Sequence, residues 1–217
     1  TRRHGPRLAR LEALLRQHRP VAVALQEVFC PRWRRTAAAA LRRAGYWVAA
    51  TAGAPRGCCR RLFPYTDGLL LGTLERPSAV RARTFACGGA GEDRLAAKGF
   101  LACELGGLTV CTLHMQADSW LAPRGLCRAA RLAQLRELLD APELGRGPRW
   151  VLGDFNMPTA EWSGGGLELD LEARGVRRAL APPTWCGQCL DHLLHTDDAP
   201  VAGPGRLAAV RADESDH

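Results

Sequence analysis

The 217-residue chain carries a formal net charge of +8, and 47% of its residues are hydrophobic and 24% are charged. This length suits one domain with a sizeable core, and the composition is ordinary for a globular protein. No apolar run approaches the roughly 18 residues of a membrane-spanning helix, and no signal-peptide core follows the Arg-rich start.

The positive charge is almost entirely arginine, because Lys98 is the only lysine in the chain. A basic surface favours anionic partners, either nucleic acid or acidic lipid headgroups, without choosing between them. The nine cysteines are odd in number, which excludes a complete intramolecular disulfide framework. The close pairs Cys58-Cys59 and Cys186-x-x-Cys189 leave zinc as an alternative. We expect mostly reduced thiols and therefore an intracellular or reducing setting.

The first part of the chain alternates helices with short strands. Leucines at helical spacing predict a helix over residues 7–18, and an Ala-rich stretch predicts a second helix over 34–43. Apolar runs predict strands over 21–25, 46–50 and 68–73.

Acidic residues lie at the ends of two of these strands. Gln26-Glu27 directly follows the first strand, and Asp67 opens the third. Glu27 is either a turn residue or a metal-binding carboxylate, because strand ends are where a rigid framework presents ligands.

A glycine-rich loop over 88–99 follows the strand predicted over 80–85, and it ends in Lys98. The loop lacks the Gly-x4-Gly-Lys-Ser/Thr spacing of a Walker A motif. Asp93 is close enough in sequence to pair with Lys98, and such a pair would set the direction of the ammonium group.

Two strands over 99–105 and 108–113, joined by Gly106-Gly107, form the clearest hairpin signal in the chain. His114 comes just after the second strand. A lone histidine at a strand end is more often structural than catalytic, so both interpretations stay open at this point.

A leucine stripe over 126–139 predicts an amphipathic helix, and the nearby Arg124, Arg128 and Arg131 would form a solvated face. Strands outnumber helices along the chain, which favours two packed mixed sheets with helices outside. The remaining predictions are a turn over 163–166, a helix over 168–180, and strands over 189–194 and 206–211.

The stretch 150–156 combines a buried strand with two polar residues. Three or four apolar residues precede Gly153, where the backbone must turn. In an extended segment, the spacing of Asp154 and Asn156 puts both side chains on one face. A carboxylate and an amide there suit the positioning of a water and a phosphate beside a divalent ion. The alternative is an ordinary strand-to-turn junction, in which Asp and Asn are common.

Four short motifs, in their order along the chain, resemble the endonuclease/exonuclease/phosphatase superfamily. They are Leu25-Gln26-Glu27, Gly153-Asp154-Phe155-Asn156, Leu190-Asp191-His192 and Ser215-Asp216-His217. The resemblance implies an α/β fold, the four-layered DNase I-like sandwich of two mixed β-sheets packed together with helices outside. It also implies a single catalytic domain over 1–217 that lacks the superfamily's first, asparagine-bearing strand and its last strand.

Three stretches resemble the neutral sphingomyelinase branch of that superfamily. They are residues 25–29, residues 91–100 with the Lys98-Gly99 step, and His114-Met115-Gln116-Ala117. The branch has a Thr-His step where this chain reads Thr112-Leu113-His114, so the threonine is displaced. The resemblance implies hydrolysis of sphingomyelin to ceramide and phosphocholine, with Mg2+ as cofactor and Mn2+ as the alternative ion.

By this resemblance, Glu27 and Asp216 would bind the metal ion, since Mg2+ uses one or two carboxylates and keeps several waters. His217 would take the proton from the attacking water. Asp191 would orient His217, as a carboxylate does in the usual histidine general-base pair.

The same resemblance implies that Asp154 and Asn156 align the water and a phosphoryl oxygen. His114 would stabilise or protonate the leaving group. Asp67 and Lys98 would contact the substrate, together with Asn156.

Asp93 would have a regulatory role by gating Lys98. The implied partners are sphingomyelin in membranes and anionic phospholipid, with no nucleic acid, and the chain would act as a monomer. The expected location is intracellular, peripheral to or anchored at a cytoplasmic-side or organelle membrane. Two other functions stay open: a metal-dependent nuclease of the same fold, and a degenerate, non-catalytic lipid-binding domain.

Overall fold

Two β-sheets organise the residues that the computed structural model describes, which are 4–51, 67–87, 89–95, 97–163, 166–179 and 189–200. The strands are β1 Ala22–Leu25, β2 Trp47–Ala50, β3 Leu70–Thr73, β4 Ala79–Thr84, β5 Gly99–Leu105, β6 Leu108–His114, β7 Arg149–Asp154, β8 Val176–Ala179 and β9 Asp191–Thr196. The smaller sheet is antiparallel in the order β1-β3-β2. The larger sheet has the order β4-β5-β6-β7-β9-β8, and β6 and β7 run parallel.

Helices cover the outer face of each sheet. None of the helices in the described ranges is long and apolar enough to cross a membrane. The α-helices are α1 His4–His18, α2 Pro31–Arg43, α3 Arg124–Leu139, α4 Thr159–Ser163 and α5 Leu167–Ala173, and two short 3-10 helices span Gly91–Leu95 and Pro142–Leu144.

Buried hydrophobic clusters separate four layers. Ala40 of α2 and Leu70 of β3 belong to the cluster between the first helices and the smaller sheet. Leu71 and Leu101 belong to the cluster between the two sheets. Leu135 of α3 belongs to the largest cluster, on the helix-covered face of the larger sheet. The four-layered sandwich implied by the resemblance is therefore confirmed.

The alternation of side chains along β7 decides what each residue contacts. Trp150 and Leu152 pack in the cluster between the sheets, whereas Val151 packs on the helix side. Successive side chains of a strand point to opposite faces, so one strand supplies both interfaces. Val151 is 4% exposed, and burying a side chain of this kind contributes about 1.5–3 kcal/mol, which makes the register of the strand hard to shift.

The predicted elements agree with the observed ones to within three residues at most boundaries. The helix predicted over 168–180 is wrong in its second half. It ends at Ala173, because Gly175 takes the left-handed conformation (φ 64°) that closes many helices. The next residues form β8, which pairs with β9. Helix α4 was not predicted, and the strand predicted over 206–211 lies outside the described residues.

The prediction of a solvated face on α3 is wrong for Arg131, which is 1% exposed. Its guanidinium lies 2.5 Å from Glu161 of α4 and 2.9 Å from Asp118. It also donates to the carbonyl of Gln116 at 3.3 Å. Arg131 therefore ties α3 to α4 and to the segment that follows β6.

We expect Arg131→Ala to lower the free energy of unfolding by about 3 kcal/mol, because it leaves a half-buried carboxylate without its cation. Urea denaturation followed by circular dichroism measures this loss. The matched control is Arg177→Ala, which removes an exposed ion pair with Asp197 and should leave the midpoint close to that of the unsubstituted chain. Equal midpoints for both variants would contradict the structural role given to Arg131.

Candidate active site at one end of the two sheets

Four residues form a row across the larger sheet. Gly99 pairs with His114, His114 with Asp154, and Asp154 with Asp191. Since β6 and β7 are parallel, their carboxyl ends meet at the same edge. His114 is the last residue of β6 rather than the residue after it.

The face on which this row lies follows from the strand period. Asp154 is two residues after Leu152, and Leu152 packs between the sheets. His114 has the same relation to Thr112, whose hydroxyl contacts the smaller sheet. The predicted polar residues of β6 and β7 therefore point into the gap between the two sheets, at the carboxyl ends of these strands.

The smaller sheet brings its own strand ends to the same place. The side-chain amide of Gln26, just after β1, donates to Thr112 Oγ1 at 2.9 Å. The rings of Phe29 and His114 are 6.1 Å apart. Glu27 lies between these two contacts along the chain, so it is held beside the end of β6.

Lys98, His114 and Asp154 form a continuous polar contact. Lys98 Nζ lies 2.8 Å from His114 Nε2, which in turn lies 3.6 Å from Asp154 Oδ2. The three residues are 5%, 2% and 3% exposed. Charged groups this deeply buried are stable only when they contact one another or other polar groups.

Asp93 holds the other side of the Lys98 ammonium. Its Oδ1 lies 3.3 Å from Lys98 Nζ, and its Oδ2 accepts a hydrogen bond from the backbone N–H of Ala117 at 2.7 Å. Lys98 therefore lies between an imidazole and a carboxylate, and the carboxylate belongs to the 3-10 helix Gly91–Leu95.

Asn156 reaches the site through a turn and not along a strand, which corrects the expectation of an extended segment. Strand β7 ends at Asp154, whose Oδ1 accepts the backbone N–H of Asn156 at 2.8 Å. Asn156 has φ 51°, and its side-chain amide donates to the carbonyl of Met115 at 3.0 Å. An aspartate that bonds the backbone two residues later is a turn-forming device. The Asp154 carboxylate therefore both stabilises the turn and contacts His114 in the site.

Gly153 permits this turn. Its φ of 147° is rarely adopted by other residues, and a Cβ at this position would collide with the backbone of Leu113 on β6. The close approach of the two chains needs a glycine.

Glu27 has features that suit a metal ligand. It is exposed at the edge of the site and has a left-handed backbone conformation with φ 58°, which is uncommon for a residue other than glycine. Within the described ranges, no group of three or more His, Cys, Asp or Glu is arranged to hold a metal ion. Mg2+ does not need such a group, because one or two carboxylates and several waters suffice. The donor chemistry of Glu27 therefore fits Mg2+, and Asp216 lies outside the described residues.

Asp67 is buried at the amino end of β3. Its carboxylate accepts hydrogen bonds from the hydroxyl of Thr51 and, at 3.3 Å, from the backbone N–H of Leu69. Burial raises the pKa of Asp67 above its ordinary value, against the lowering effect of these hydrogen bonds and of Arg34.

Asp191 and His192 lie on opposite faces of β9. Asp191 belongs to the row between the sheets. His192 packs on the helix side, where its ring lies 4.9 Å from that of Trp162. Its Nε2 is 2.7 Å from the carbonyl of Met157. His192 is 1% exposed and is therefore a core residue, and this burial lowers its pKa below the ordinary value. The predicted residue His217, like Asp216, lies outside the described residues.

We expect the stability of the chain to fall on acidification partly through His192. Its folded-state pKa is depressed, so below about pH 6.5 the unfolded chain binds a proton that the folded chain excludes, and stability is lost as the pH falls. A single group of this kind contributes up to about 1.4 kcal/mol per pH unit. Urea denaturation at pH 7.5 and pH 5.5 should give a smaller difference for His192→Gln than for the unsubstituted chain. Identical pH dependence would show that His192 is not the responsible group.

Supporting residues were largely missed from the sequence. Thr112 carries a detectable signal, because it is two residues before His114 and must share its face. Gln116 is fully buried and accepts the backbone N–H of Ala90 at 2.6 Å. The hydrogen bond between Thr51 and Asp67 forms only when the chain folds, and no sequence pattern predicts it.

The described cysteines do not form a metal centre. Cys103 and Cys111 are buried free thiols, and burial raises the pKa of Cys103 to about 11. Cys58, Cys59 and Cys186, which the zinc alternative requires, lie outside the described residues.

Comparisons with known proteins place the fold. A sequence profile described as the Endonuclease/Exonuclease/phosphatase family matches residues 3–217. A search of curated protein sequences finds no match.

Solved structures share the architecture at low sequence identity. Sphingomyelinase C from Streptomyces griseocarneus is 20% identical, with a TM-score of 0.67 over 91% of this chain and 78% of that one. A beta toxin mutant from Staphylococcus aureus with bound magnesium ions is 16% identical, with a TM-score of 0.71 over 90% and 78%. TDP2 from D. rerio, complexed with a single strand DNA product, is 19% identical, with a TM-score of 0.61 over 90% and 79%. These similarities establish the fold and leave the substrate open.

Proposed function

The chain belongs to the Endonuclease/Exonuclease/phosphatase family, and from this premise we propose that it is a Mg2+-dependent phosphodiesterase that hydrolyses sphingomyelin to ceramide and phosphocholine. The observation that carries the proposal is the contact between Lys98 and His114. These residues come from two separate stretches that resemble the neutral sphingomyelinases, and they meet at 2.8 Å. The similarity in fold to a sphingomyelinase C supports the same substrate class.

The reaction breaks the bond between phosphorus and the ceramide oxygen while a water oxygen bonds to phosphorus. Asp154 and Asn156 align the water and a phosphoryl oxygen. His217, oriented by Asp191, takes the proton of the water. His114 stabilises or protonates the departing ceramide oxygen.

Glu27 and Asp216 would hold Mg2+, which would supply positive charge to neutralise the phosphodiester. Asp67 and Lys98 contact the substrate. Lys98 is the only lysine in the chain. A phosphate oxygen of the substrate can compete with the Asp93 carboxylate for the Lys98 ammonium. We therefore assign Asp93 a regulatory role, because its carboxylate binds Lys98 when no substrate is present.

Phosphocholine release from sphingomyelin in mixed micelles tests the proposal. We expect release with Mg2+ and none with EDTA. A folded sample that releases no phosphocholine in Mg2+ would overturn the sphingomyelinase assignment and leave the fold unaffected. Mn2+ is expected to replace Mg2+, because carboxylate and water ligands suit both ions.

A metal-dependent nuclease is the second candidate, and two observations favour it. The net charge of +8 suits a polyanion, and TDP2, which shares the fold, was solved with a single strand DNA product. A nuclease would cut plasmid DNA in Mg2+ and leave sphingomyelin intact. A degenerate, non-catalytic lipid-binding domain would hydrolyse neither DNA nor sphingomyelin, and calorimetry would show no Mg2+ binding.

We propose that the protein lies inside the cell at a membrane, either peripherally or through an anchor. We further propose that it is a monomer and has no nucleic-acid partner. This location follows from the proposed substrate, which resides in bilayers.

A further inference from the structure

Three large apolar side chains are exposed on one short segment after β6. Trp120 is 86% exposed, and Leu121 and Leu126 are each 58% exposed. Trp120 and Leu121 lie in the turn before α3, and Leu126 lies in its first turn. We call these three residues the apolar rim. Adjacent exposed aromatic and aliphatic side chains indicate an interaction surface rather than the scattered apolar residues of an ordinary surface.

The apolar rim is held in place by hydrogen bonds. The backbone N–H of Leu121 donates to Ser119 Oγ at 3.0 Å, and the Ser119 hydroxyl donates to the carboxylate of Glu92. Asp118 is bound to the buried Arg131 at 2.9 Å. A surface presented in one conformation binds with a smaller loss of conformational entropy.

These bonds also connect the apolar rim to the candidate active site. Ser119 contacts Glu92, and Ala117 donates to Asp93, the partner of Lys98. The segment begins directly after His114. A large partner that contacts the apolar rim is therefore brought to the end of the two sheets where the site residues lie.

Two exposed arginines follow the apolar rim along the chain. They are Arg124 and Arg128, in the first two turns of α3. Arg128 also lines a groove of about 330 Å3 together with Arg136 and Arg174. Asp170 lines the same groove and lies 3.5 Å from Arg174, so it offsets part of this charge. Apolar side chains next to arginines match a bilayer with anionic lipid, whose interior is apolar and whose headgroups carry phosphate.

We propose that the apolar rim is the surface by which this protein docks on an anionic lipid bilayer. Trp120 and Leu121 enter the interface between headgroups and acyl chains, where the amphipathic indole ring is favoured. Arg124 and Arg128 contact the headgroups. Exposed apolar side chains and neighbouring arginines support the docking surface, and its use in presenting substrate to the site rests on the proposed function.

Vesicle co-sedimentation tests the docking. With vesicles of phosphatidylcholine and phosphatidylserine, we expect Trp120→Ala/Leu121→Ala to weaken binding by about tenfold or more, since it removes two buried apolar side chains. The matched control is Trp47→Ala. Trp47 is 50% exposed at the far end of the smaller sheet, where it pairs with Thr73 rather than with the end that carries the site. Binding by this variant should remain within about twofold of the unsubstituted chain.

A second pair of variants separates charge from apolar contact. Arg124→Ala/Arg128→Ala should weaken binding to vesicles with phosphatidylserine and make it less dependent on salt. It should leave binding to vesicles of phosphatidylcholine alone unchanged. Arg16→Ala/Arg42→Ala removes the same charge from exposed positions on α1 and α2, across the sandwich from α3, and should have the smaller effect.

Unchanged binding by the Trp120→Ala/Leu121→Ala variant would overturn the proposal. So would a dimer seen by sedimentation velocity that this variant abolishes, because the apolar rim would then be an interface between two copies of the chain. These outcomes are independent of turnover. If micellar sphingomyelin is not hydrolysed and the variant still loses vesicle binding, the proposed function fails and the docking surface stands.

Discussion

Lys98→Ala is expected to lower kcat for sphingomyelin hydrolysis by about a hundredfold or more, because a positioned cation in a buried site stabilises the charge that develops on phosphate. Lys98 is 5% exposed, and its ammonium contacts both His114 and Asp93. Phosphocholine release from mixed micelles measures the effect. Lys98→Arg keeps the charge but changes its shape, so we expect only partial recovery. The exposed substitution Arg42→Ala is the matched loss of one positive charge and should leave kcat unchanged.

If Asp93 has a regulatory role, its effect on turnover must depend on Lys98. We expect Asp93→Asn to change kcat or KM in a chain that contains Lys98 and to have no further effect in the Lys98→Ala variant. Thermal unfolding monitored in parallel separates this coupling from a loss of folding. If Lys98→Ala leaves turnover unchanged, both the substrate role of Lys98 and the gating role of Asp93 are wrong.

Asp154→Asn is expected to lower kcat/KM by about a thousandfold, which corresponds to about 4 kcal/mol of transition-state stabilisation. The carboxylate is 3% exposed, lies 3.6 Å from His114 Nε2, and orders the turn that carries Asn156. Asparagine has nearly the same shape and can still accept the backbone N–H of Asn156. The turn should therefore survive while the negative charge is lost.

The matched control for Asp154 is Asp197→Asn, which removes a carboxylate just past the opposite end of β9 and should leave kcat/KM unchanged. Mg2+ titration calorimetry on both variants shows whether Asp154 acts on catalysis or on metal binding. Equal activity of Asp154→Asn and the unsubstituted chain would remove Asp154 from the mechanism.

Much of the framework could be predicted because it depends on short-range patterns. The hairpin of β5 and β6 follows from Gly106-Gly107 between two apolar runs. Asp154 could be placed at a strand end because Gly153 interrupts the run before it. The position of Asn156 could not, since a spacing of two residues predicts a shared face only while the strand continues, and β7 ends at Asp154.

Other features could not be predicted from the sequence, because they depend on residues that are distant in the chain. The stretch after Gly175 forms β8 because β9, twelve or more residues later, offers an edge with which to pair, which overrides a helical pattern. Arg131 looks like a surface arginine until Glu161, 30 residues away, provides the carboxylate that makes its burial stable.

The sequence by itself determined the strand ends and the chemical types of the residues on them, because period-two alternation and glycine interruptions act over a few residues. It thereby placed Glu27, His114, Asp154 and Asp191 at ends of strands. Only the tertiary structure decided that these ends share one edge, that Lys98 lies between Asp93 and His114, and that His192 points away from the site. Those relations depend on strand order and on contacts between distant segments, whose free energy is gained only when the two sheets pack together.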